Sequence, residues 1–126
     1  MISVIIPAFN EEATVGACVA AVRGHPQVDE IIVVDDGSAD RSAEVAERAG
    51  ATVIRLAANV GKAMALDAGV RAARNETLLF LDADVSGHTH ATISRIIQPV
   101  LEGKVEMFVG IHARRTLWLN RLLPVF

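Results

Sequence analysis

Thr77-Leu78-Leu79-Phe80-Leu81-Asp82-Ala83-Asp84 is the stretch of this sequence that decides the fold. Its apolar run stands between a threonine and a polar, turn-prone segment, and this is the pattern of a buried strand. The two aspartates therefore emerge at the carboxyl end of that strand. Because side chains alternate along a strand, Asp82 and Asp84 are predicted to point to one side and Ala83 to the other.

The close spacing of Asp82 and Asp84 predicts a cation site. Two carboxylates held together repel each other unless a cation lies between them. Oxygen ligands from an open loop suit Mg²⁺ or Mn²⁺, which keep some of their waters and are shared with a substrate phosphate. The alternative for these two residues alone is a helix-capping aspartate beside a solvated loop aspartate.

Strand and helix patterns alternate along the rest of the chain. Predicted strands cover 2–6, 28–34, 52–56, 77–82 and 105–110, and predicted helices cover 10–24, 38–50, 62–74, 89–101 and 114–126. Asn10 is predicted to open the first helix, Ser38 to cap the second, and Pro99 to kink or end the fourth. The alternation predicts an α/β fold with a mainly parallel sheet covered by helices on both faces, in which ligands bind beyond the carboxyl ends of the strands.

Composition limits the class of protein. The chain has 126 residues, a net charge of −3 and 52% apolar residues, which fits one globular domain over 1–126 and excludes a disordered chain or a basic nucleic-acid binder. No apolar stretch reaches the length of a membrane helix or forms a signal peptide, so a cytoplasmic protein is expected. The single cysteine, Cys18, has the helical spacing of a core residue.

A second acidic pair, Asp35 and Asp36, ends the predicted strand 28–34 and precedes Gly37-Ser38. A carboxylate at this place can accept a hydrogen bond from a base imide N–H, as on uracil N3. Cytosine has no proton at that nitrogen, so uridine, thymidine or guanosine carriers fit better. The alternative is a turn in which an aspartate side chain bonds its own backbone.

Two further segments supply candidate ligand contacts. Pro7-Ala8-Phe9-Asn10-Glu11-Glu12 follows the first strand, where rigid backbone and small side chains can line a flat base, although helix capping explains Asn10 and the glutamates as well. Lys62 follows Gly61 at a predicted helix start, where its charge opposes the helix dipole. A phosphate partner would explain that charge, and plain solvation is the alternative.

Four segments, in this order and spacing, resemble family 2 glycosyltransferases with the GT-A fold. They are Val4-Ile5-Ile6-Pro7-Ala8-Phe9-Asn10-Glu11-Glu12, Val33-Val34-Asp35-Asp36-Gly37-Ser38, Asn59-Val60-Gly61-Lys62-Ala63-Met64-Ala65-Leu66 and Leu81-Asp82-Ala83-Asp84. One such string is weak, but four in register are specific, and the resemblance extends from Ile2 to about Gly110. It implies a Rossmann-like donor domain that binds a UDP- or GDP-sugar with Mg²⁺ or Mn²⁺ and transfers the sugar to an acceptor.

The resemblance also implies roles for individual residues. Those expected along the nucleoside pocket are Pro7, Ala8, Asn10 and Glu12. Asp36 would hold the base through its N–H with Asp35 in support, and Lys62 would approach the base or the diphosphate. Asp82 would reach the ribose or a metal-bound water, and Asp84 would bind the divalent ion that bridges the two phosphates.

The length of the chain departs from the family pattern. Family members are considerably longer, and the part without a counterpart in this chain supplies the acceptor pocket and, in inverting members, the general base. We therefore expect the donor-binding half of a longer or truncated transferase, with the catalytic residue and the stereochemistry unassigned. A non-catalytic nucleotide-sugar binding module is the alternative.

The stretch from Leu79 to Val85 also resembles the phosphatase motif of haloacid-dehalogenase-like proteins. That motif normally opens its domain, whereas three predicted strands precede it in this chain.

The segment after the last predicted strand carries the remaining predictions. His112 is the candidate for a third metal ligand, with a solvated loop histidine as the alternative. The predicted helix 114–126 is basic and amphipathic, with an apolar stripe of Leu119, Leu122, Leu123 and Phe126. We expect this stripe to be buried, against the part of the transferase that has no counterpart in this chain or in a homo-oligomer, and peripheral contact with an anionic membrane is its alternative use.

Overall fold

The computed structural model describes residues 1–84 and 87–103. They fall into two compact units, Met1–His90 and a second that begins at Ala91. The elements of the first unit, in chain order, are β1 (Ile2–Ala8), α1 (Val15–Val22), β2 (Val28–Asp35), α2 (Ser42–Ala49), β3 (Thr52–Arg55), α3 (Lys62–Ala72) and β4 (Thr77–Phe80). Helix α4 (His90–Leu101) begins at the last residue of the first unit and forms the described part of the second.

The strands form one parallel sheet in the order β3-β2-β1-β4, which confirms the predicted α/β class. All seven residues of β1 are buried, as expected for a central strand of continuous apolar sequence. From β1 the chain moves to β2 and β3 on one side and then returns to β4 on the other. The direction of winding therefore reverses between β1 and β4, and such a reversal leaves a crevice beyond the carboxyl ends of those strands.

Helices cover both faces of this sheet. Helices α1 and α2 contact each other, and α2 packs on β2 and β3, whereas α3 packs on β1 and β2. Right-handed crossovers place α1 and α2 on one face and α3, which returns in the opposite direction, on the other. Helix α3 comes close because residue 69 is glycine: a Cβ atom there would lie 2.4 Å from Cγ2 of Ile5.

The first helix begins later than predicted. Helix α1 starts at Val15, and its first turn contains no acidic residue. Residues 10–12 do not open the helix because their amides bond to side chains of the segment that follows β2. The residues that form a helix-capping pattern in the sequence therefore bond to side chains about thirty positions away instead.

The second helix also begins later than predicted. Helix α2 starts at Ser42, and Ser38 does not cap it. Asp40 supplies the local bond, since its Oδ1 accepts the Ser42 amide at 3.0 Å and the Ser42 hydroxyl at 2.5 Å. The predicted end is confirmed, because Gly50 follows the last helical residue with φ +107°.

The remaining bounds differ by smaller amounts. Strand β4 ends at Phe80, although the Leu81 amide still donates to the Ile5 carbonyl at 3.1 Å. Helix α4 does not end at Pro99 and continues to Leu101. The strand predicted at 105–110 and the helix predicted at 114–126 lie outside the described residues. Of the helices that the structure describes, none combines the length and apolar character needed to cross a membrane.

Candidate functional site

A cleft of about 300 Å³ lies at the carboxyl edge of the sheet, where the winding reverses. It is lined by Pro7, Ala8, Phe9, Glu11, Asp36, Asn59, Gly61, Lys62, Asp82, Ala83 and Asp84. These residues come from the ends of β1, β2 and β4 and from the start of α3. All four motifs therefore meet, although they lie far apart in sequence, because three parallel strands and the turn before α3 end at one edge of the sheet.

Asp36 holds the turn that leads into α3. Its Oδ1 accepts the Val60 amide at 2.8 Å, and its Oδ2 accepts the Gly61 amide at 3.0 Å and the Asn59 side-chain amide at 3.2 Å. Asp36 is only 4% exposed, and its own amide donates to the Ala8 carbonyl at 2.8 Å. The carboxylate is thus fixed in place at one side of the cleft.

Gly37 lets this turn approach the end of β2. Its φ is +72°, and a Cβ atom at this position would lie 2.6 Å from backbone atoms of Ala58 and Asn59. No L side chain fits such a contact, so the glycine in Asp35-Asp36-Gly37-Ser38 is required by packing. Asp35 holds the turn directly after β2, because its Oδ1 accepts the Ser38 amide at 3.0 Å.

The loops after β1 and β2 are joined by reciprocal hydrogen bonds. The Asn10 amide donates to Oγ of Ser38 at 2.9 Å, while Oδ1 of Asn10 accepts the Ala39 amide at 2.9 Å. The Glu12 amide donates to Oδ2 of Asp40 at 3.2 Å, and Oε2 of Glu12 accepts the Arg41 amide at 3.1 Å. These bonds support Asn10 at φ +52°, the one non-glycine residue with positive φ in the described part of the chain.

The same group of bonds affects one pKa. Burial works to raise the pKa of Asp40, but the hydrogen bonds from Ser42 and Glu12 outweigh it and leave the pKa below its ordinary value. An ionised Asp40 is the form that accepts all of these donors. The two loops therefore stay joined at neutral pH.

The end of β4 is held much more loosely. Ala83 is buried, Asp84 is exposed, and the Asp82 side chain is 14% exposed. The Lys62 ammonium forms an ion pair with Oδ1 of Asp82 across the cleft. Behind this end, Sγ of Cys18 lies 3.4 Å from the Asp82 carbonyl oxygen.

Cys18 is a core residue, as predicted. It is 1% exposed, and burial raises the pKa of its thiol from 9.0 to about 12, with smaller contributions from the negative charges of Asp82 and Asp84. The thiol is therefore protonated and unreactive at neutral pH.

The donor set of the cleft fits a hard divalent cation that is shared with a ligand. The lining contains four acidic side chains and one lysine, which disfavours an anionic ligand unless a cation accompanies it. Within residues 1–84 and 87–103, no three His, Cys, Asp or Glu side chains are grouped to hold a metal ion. Two carboxylates that leave the remaining positions to waters and phosphate oxygens match the coordination habit of Mg²⁺ and its relatives.

The structure brings together six of the predicted ligand-binding and metal residues. Those that line the cleft are Pro7, Ala8, Asp36, Lys62, Asp82 and Asp84. Asn10, Glu12 and Asp35 do not line it and instead hold its walls through the bonds described above. His112 lies outside the described residues. His90, which also follows the Asp pair in sequence, lies against His25 with ring centroids 5.4 Å apart and does not line the cleft.

Five lining residues were not predicted as contacts, and they are Phe9, Glu11, Asn59, Gly61 and Ala83. Phe9 is 47% exposed and presents an aromatic ring at the cleft, Glu11 adds a fourth carboxylate, and Asn59 contributes the amide that bonds Asp36. Each belongs to a segment that the sequence indicated. Strand alternation does not separate Phe9 and Glu11 from Asn10 and Glu12, because these residues follow β1 and Asn10 has φ +52°.

A comparison with protein families identifies one match. The family described as "Glycosyl transferase family 2" matches residues 3–117, which is most of the chain. The match includes all four motifs and every residue of the cleft lining.

Comparisons with individual proteins agree with this match. The chain is 37% identical over 113 residues to the undecaprenyl-phosphate 4-deoxy-4-formamido-L-arabinose transferase of Pseudomonas paraeruginosa, covering 82% of this chain and 33% of that protein. It is 36% identical over 103 residues to the 4,4'-diaponeurosporenoate glycosyltransferase of Staphylococcus haemolyticus, covering 77% of this chain and 28% of that protein.

Among solved structures, the chain is similar to glucosyl-3-phosphoglycerate synthase from Mycobacterium tuberculosis in complex with Mn²⁺, UDP-glucose and phosphoglyceric acid. The TM-score is 0.74 at 30% identity, covering 82% of this chain and 40% of the synthase. The same synthase in complex with Mg²⁺ and UDP gives a TM-score of 0.72. The chain thus spans between about a quarter and two fifths of the length of these relatives.

Proposed function

Because this chain belongs to glycosyl transferase family 2, we propose that it forms the donor-binding part of a metal-dependent glycosyltransferase that uses a uridine diphosphate sugar. One observation carries this proposal: a single cleft holds the buried carboxylate of Asp36 at one side and an Asp-x-Asp at the other, with Lys62 reaching from the first side to the second. A nucleoside diphosphate has the matching order of groups, a base at one end and two phosphates at the other.

Asp36 is proposed to recognise the base. Its Oδ1 carries one hydrogen bond from the protein, so that a second lone pair is available for the imide N–H of uracil. The carboxylate is already oriented by Val60 and Gly61, and binding therefore costs little ordering of this group. UDP is favoured over GDP because the similar synthase binds UDP and UDP-glucose.

Pro7 and Ala8 are proposed to line the base pocket directly, and Asn10, Glu12 and Asp35 to act by holding its walls. This division follows from the lining of the cleft and from the bonds between the two loops. Substitution of a wall residue should then weaken nucleotide binding through displacement of its neighbours rather than through loss of a direct contact.

Asp84 is proposed to hold a divalent ion, Mn²⁺ or Mg²⁺, with Asp82 beside it reaching the ribose or an ion-bound water. When bound, the ion neutralises the charge that develops on the departing diphosphate as the sugar is transferred. His112 remains a predicted third ligand. The chain's own part is to orient the donor: Asp36 fixes the base, and Lys62 approaches the diphosphate.

A non-catalytic nucleotide-sugar binding module is the second candidate. The observation that favours it is the lining of the cleft, in which every residue with a proposed role faces the nucleotide or its ion and none is assigned to an acceptor. Positioning of an acceptor supplies much of the rate in group transfer. Multiple-turnover transfer by this chain would exclude the second candidate.

Calorimetric titration with UDP, GDP and CDP, in Mn²⁺ and in a chelator, tests the proposed function. We expect UDP to bind much more tightly with Mn²⁺, and Asp84→Ala to remove that difference. Asp67→Ala is the matched control, since Asp67 lies on α3, pairs with Arg71 and does not line the cleft. Equal affinity for UDP in Mn²⁺ and in chelator would refute the metal role, and equal affinity for CDP and UDP would refute the role of Asp36.

A further inference from the structure

The ion pair between Lys62 and Asp82 joins the two sides of the cleft. Lys62 is the first residue of α3, where a positive charge opposes the helix dipole. Its ammonium nevertheless reaches across 20 positions of sequence to a carboxylate whose side chain is 14% exposed. The lysine therefore occupies one of the two carboxylates of the Asp-x-Asp.

This ion pair contributes little to holding the fold, because solvent screens its Lys62 end. The Lys62 side chain is 43% exposed, and pairs of that exposure contribute little to stability. The turn before α3 is already fixed by the bonds from Val60 and Gly61 to Asp36. A contact that adds little stability and blocks a ligand group requires another explanation.

We propose that Lys62 is the resident counter-ion of Asp82 and exchanges it for a phosphate when the metal-bound nucleotide enters. Without ligand the ammonium neutralises Asp82. With a divalent ion held by Asp82 and Asp84, the Lys62 ammonium would leave Asp82 and contact the diphosphate instead. This inference rests on the proposed function, since it requires that the ligand be a nucleoside diphosphate.

The exchange makes the ion and the nucleotide bind cooperatively. Lys62 opposes binding of the ion alone, because the ion must displace it from Asp82, but it supports the ion together with the diphosphate. Such a coupling is reciprocal: the nucleotide must raise the affinity for the ion by the same factor by which the ion raises the affinity for the nucleotide. A cleft without a bound nucleotide would therefore hold the divalent ion only weakly.

The test compares Mn²⁺ binding alone with UDP binding at saturating Mn²⁺. Mn²⁺ affinity is measured from the spin-resonance signal of the free ion, and UDP affinity by calorimetry. For Lys62→Gln we expect Mn²⁺ alone to bind about two- to ten-fold more tightly, because the competing ion pair is absent. The same variant should bind UDP with Mn²⁺ about ten-fold more weakly, since a charge-assisted phosphate contact is lost.

Matched variants separate this exchange from a general effect of charge. Lys62→Arg keeps the charge and should stay within about three-fold of the unmodified chain in both measurements. Arg71→Gln removes a positive charge from the same helix, where Arg71 pairs with Asp67, and should change neither. In an Asp82→Asn background, Lys62→Gln should no longer tighten Mn²⁺ binding, because the carboxylate for which both cations compete has been removed.

Two results would overturn the proposal. One is unchanged or weaker binding of Mn²⁺ alone to Lys62→Gln, and the other is tighter Mn²⁺ binding with no loss of UDP affinity. Failure of the unmodified chain to bind UDP with Mn²⁺ would refute the proposed function itself. The measurements with Mn²⁺ alone would still decide whether Lys62 competes for Asp82.

Discussion

The two sides of the cleft are built in opposite ways. At the end of β2, Asp36 is 4% exposed, and its carboxylate accepts hydrogen bonds from Asn59, Val60 and Gly61. At the end of β4, Asp84 is exposed, and Asp82 forms its ion pair with a lysine that is itself partly exposed. The first side, which we call the rigid side, has carboxylates whose hydrogen bonds are satisfied in a fixed geometry. The second, the adaptable side, has carboxylates that can change partners.

This difference corresponds to the two parts of the proposed ligand. A base is recognised by hydrogen bonds whose directions must be set before binding, because an oriented acceptor loses little entropy when the base arrives. A metal ion and a diphosphate bring their own charges and waters, so their site must be able to exchange partners. The rigid side should therefore govern stability, and the adaptable side should govern ligand affinity.

Gly37→Ala should cause the largest loss of stability, because it adds a side chain at the tightest backbone contact of the rigid side. The new Cβ would lie 2.6 Å from the backbone at Ala58 and Asn59, at φ +72°. We expect the free energy of unfolding to fall by about 3 kcal/mol, from backbone strain and overpacking together. Urea unfolding followed by circular dichroism measures it.

Gly103→Ala is the control for backbone strain alone. Gly103 has a similar φ of +68°, and a Cβ atom there would meet nothing within 4 Å. We expect Gly103→Ala to lower the free energy of unfolding by about 1 kcal/mol. Equal losses for the two variants would show that the contact with 58–59 does not matter.

Asp36→Ala and Asp84→Ala compare the two sides directly. Removal of the Asp36 carboxylate leaves the amides of Val60 and Gly61 without their acceptor, and we expect a loss of about 2 kcal/mol. Asp84 is exposed, so its removal should change stability by no more than about 0.5 kcal/mol while abolishing the metal dependence of UDP binding. If Asp84→Ala destabilises the chain as much as Asp36→Ala, the proposal that the two sides govern stability and ligand affinity separately is wrong.

The thiol of Cys18 lies against the Asp82 carbonyl, and its titration should change stability less than Gly37→Ala or Asp36→Ala does. Its pKa is raised from 9.0 to about 12 in the folded chain, by burial first and then by the charges of Asp82 and Asp84. A raised folded pKa means that the unfolded chain loses this proton first as pH rises, so stability falls above pH 9. Between pH 8 and 10 we expect a loss of about 1 kcal/mol in the free energy of unfolding from this group.

Cys18→Ala removes this titration and should flatten the alkaline part of the stability profile, although the cavity lowers stability at every pH. Asp84→Asn should reduce the slope only slightly, because burial is the larger cause of the shift. An alkaline slope that is unchanged by Cys18→Ala would contradict the assignment.

Much of the site followed from strand patterns. The apolar runs before Asp36 and Asp82 identified two buried strands, and parallel strands bring their carboxyl ends to one edge. Lys62 was recognised because its charge is unfavourable at a helix start. These predictions depend on local sequence and on a general property of α/β sheets, and for this reason the six lining residues were found.

The misplaced predictions share one cause. Asn10 was expected to cap a helix and Ser38 another, and both bind each other's loop instead. Capping patterns describe what a residue can satisfy locally, whereas a partner 28 positions away competes only after β1 and β2 have paired. The contribution of Glu12 to the wall, rather than to the cleft, has the same origin.

The sequence by itself determined the parallel α/β class, the edge of the sheet at which the site forms and the acidic character of that site, because hydrophobic periodicity and strand-end chemistry are local. Only the tertiary structure decided the strand order β3-β2-β1-β4, which opens the cleft between β1 and β4. It also decided that Asp36 is fixed while Asp82 pairs with Lys62, since these partners are set by distances between loops that no local pattern encodes.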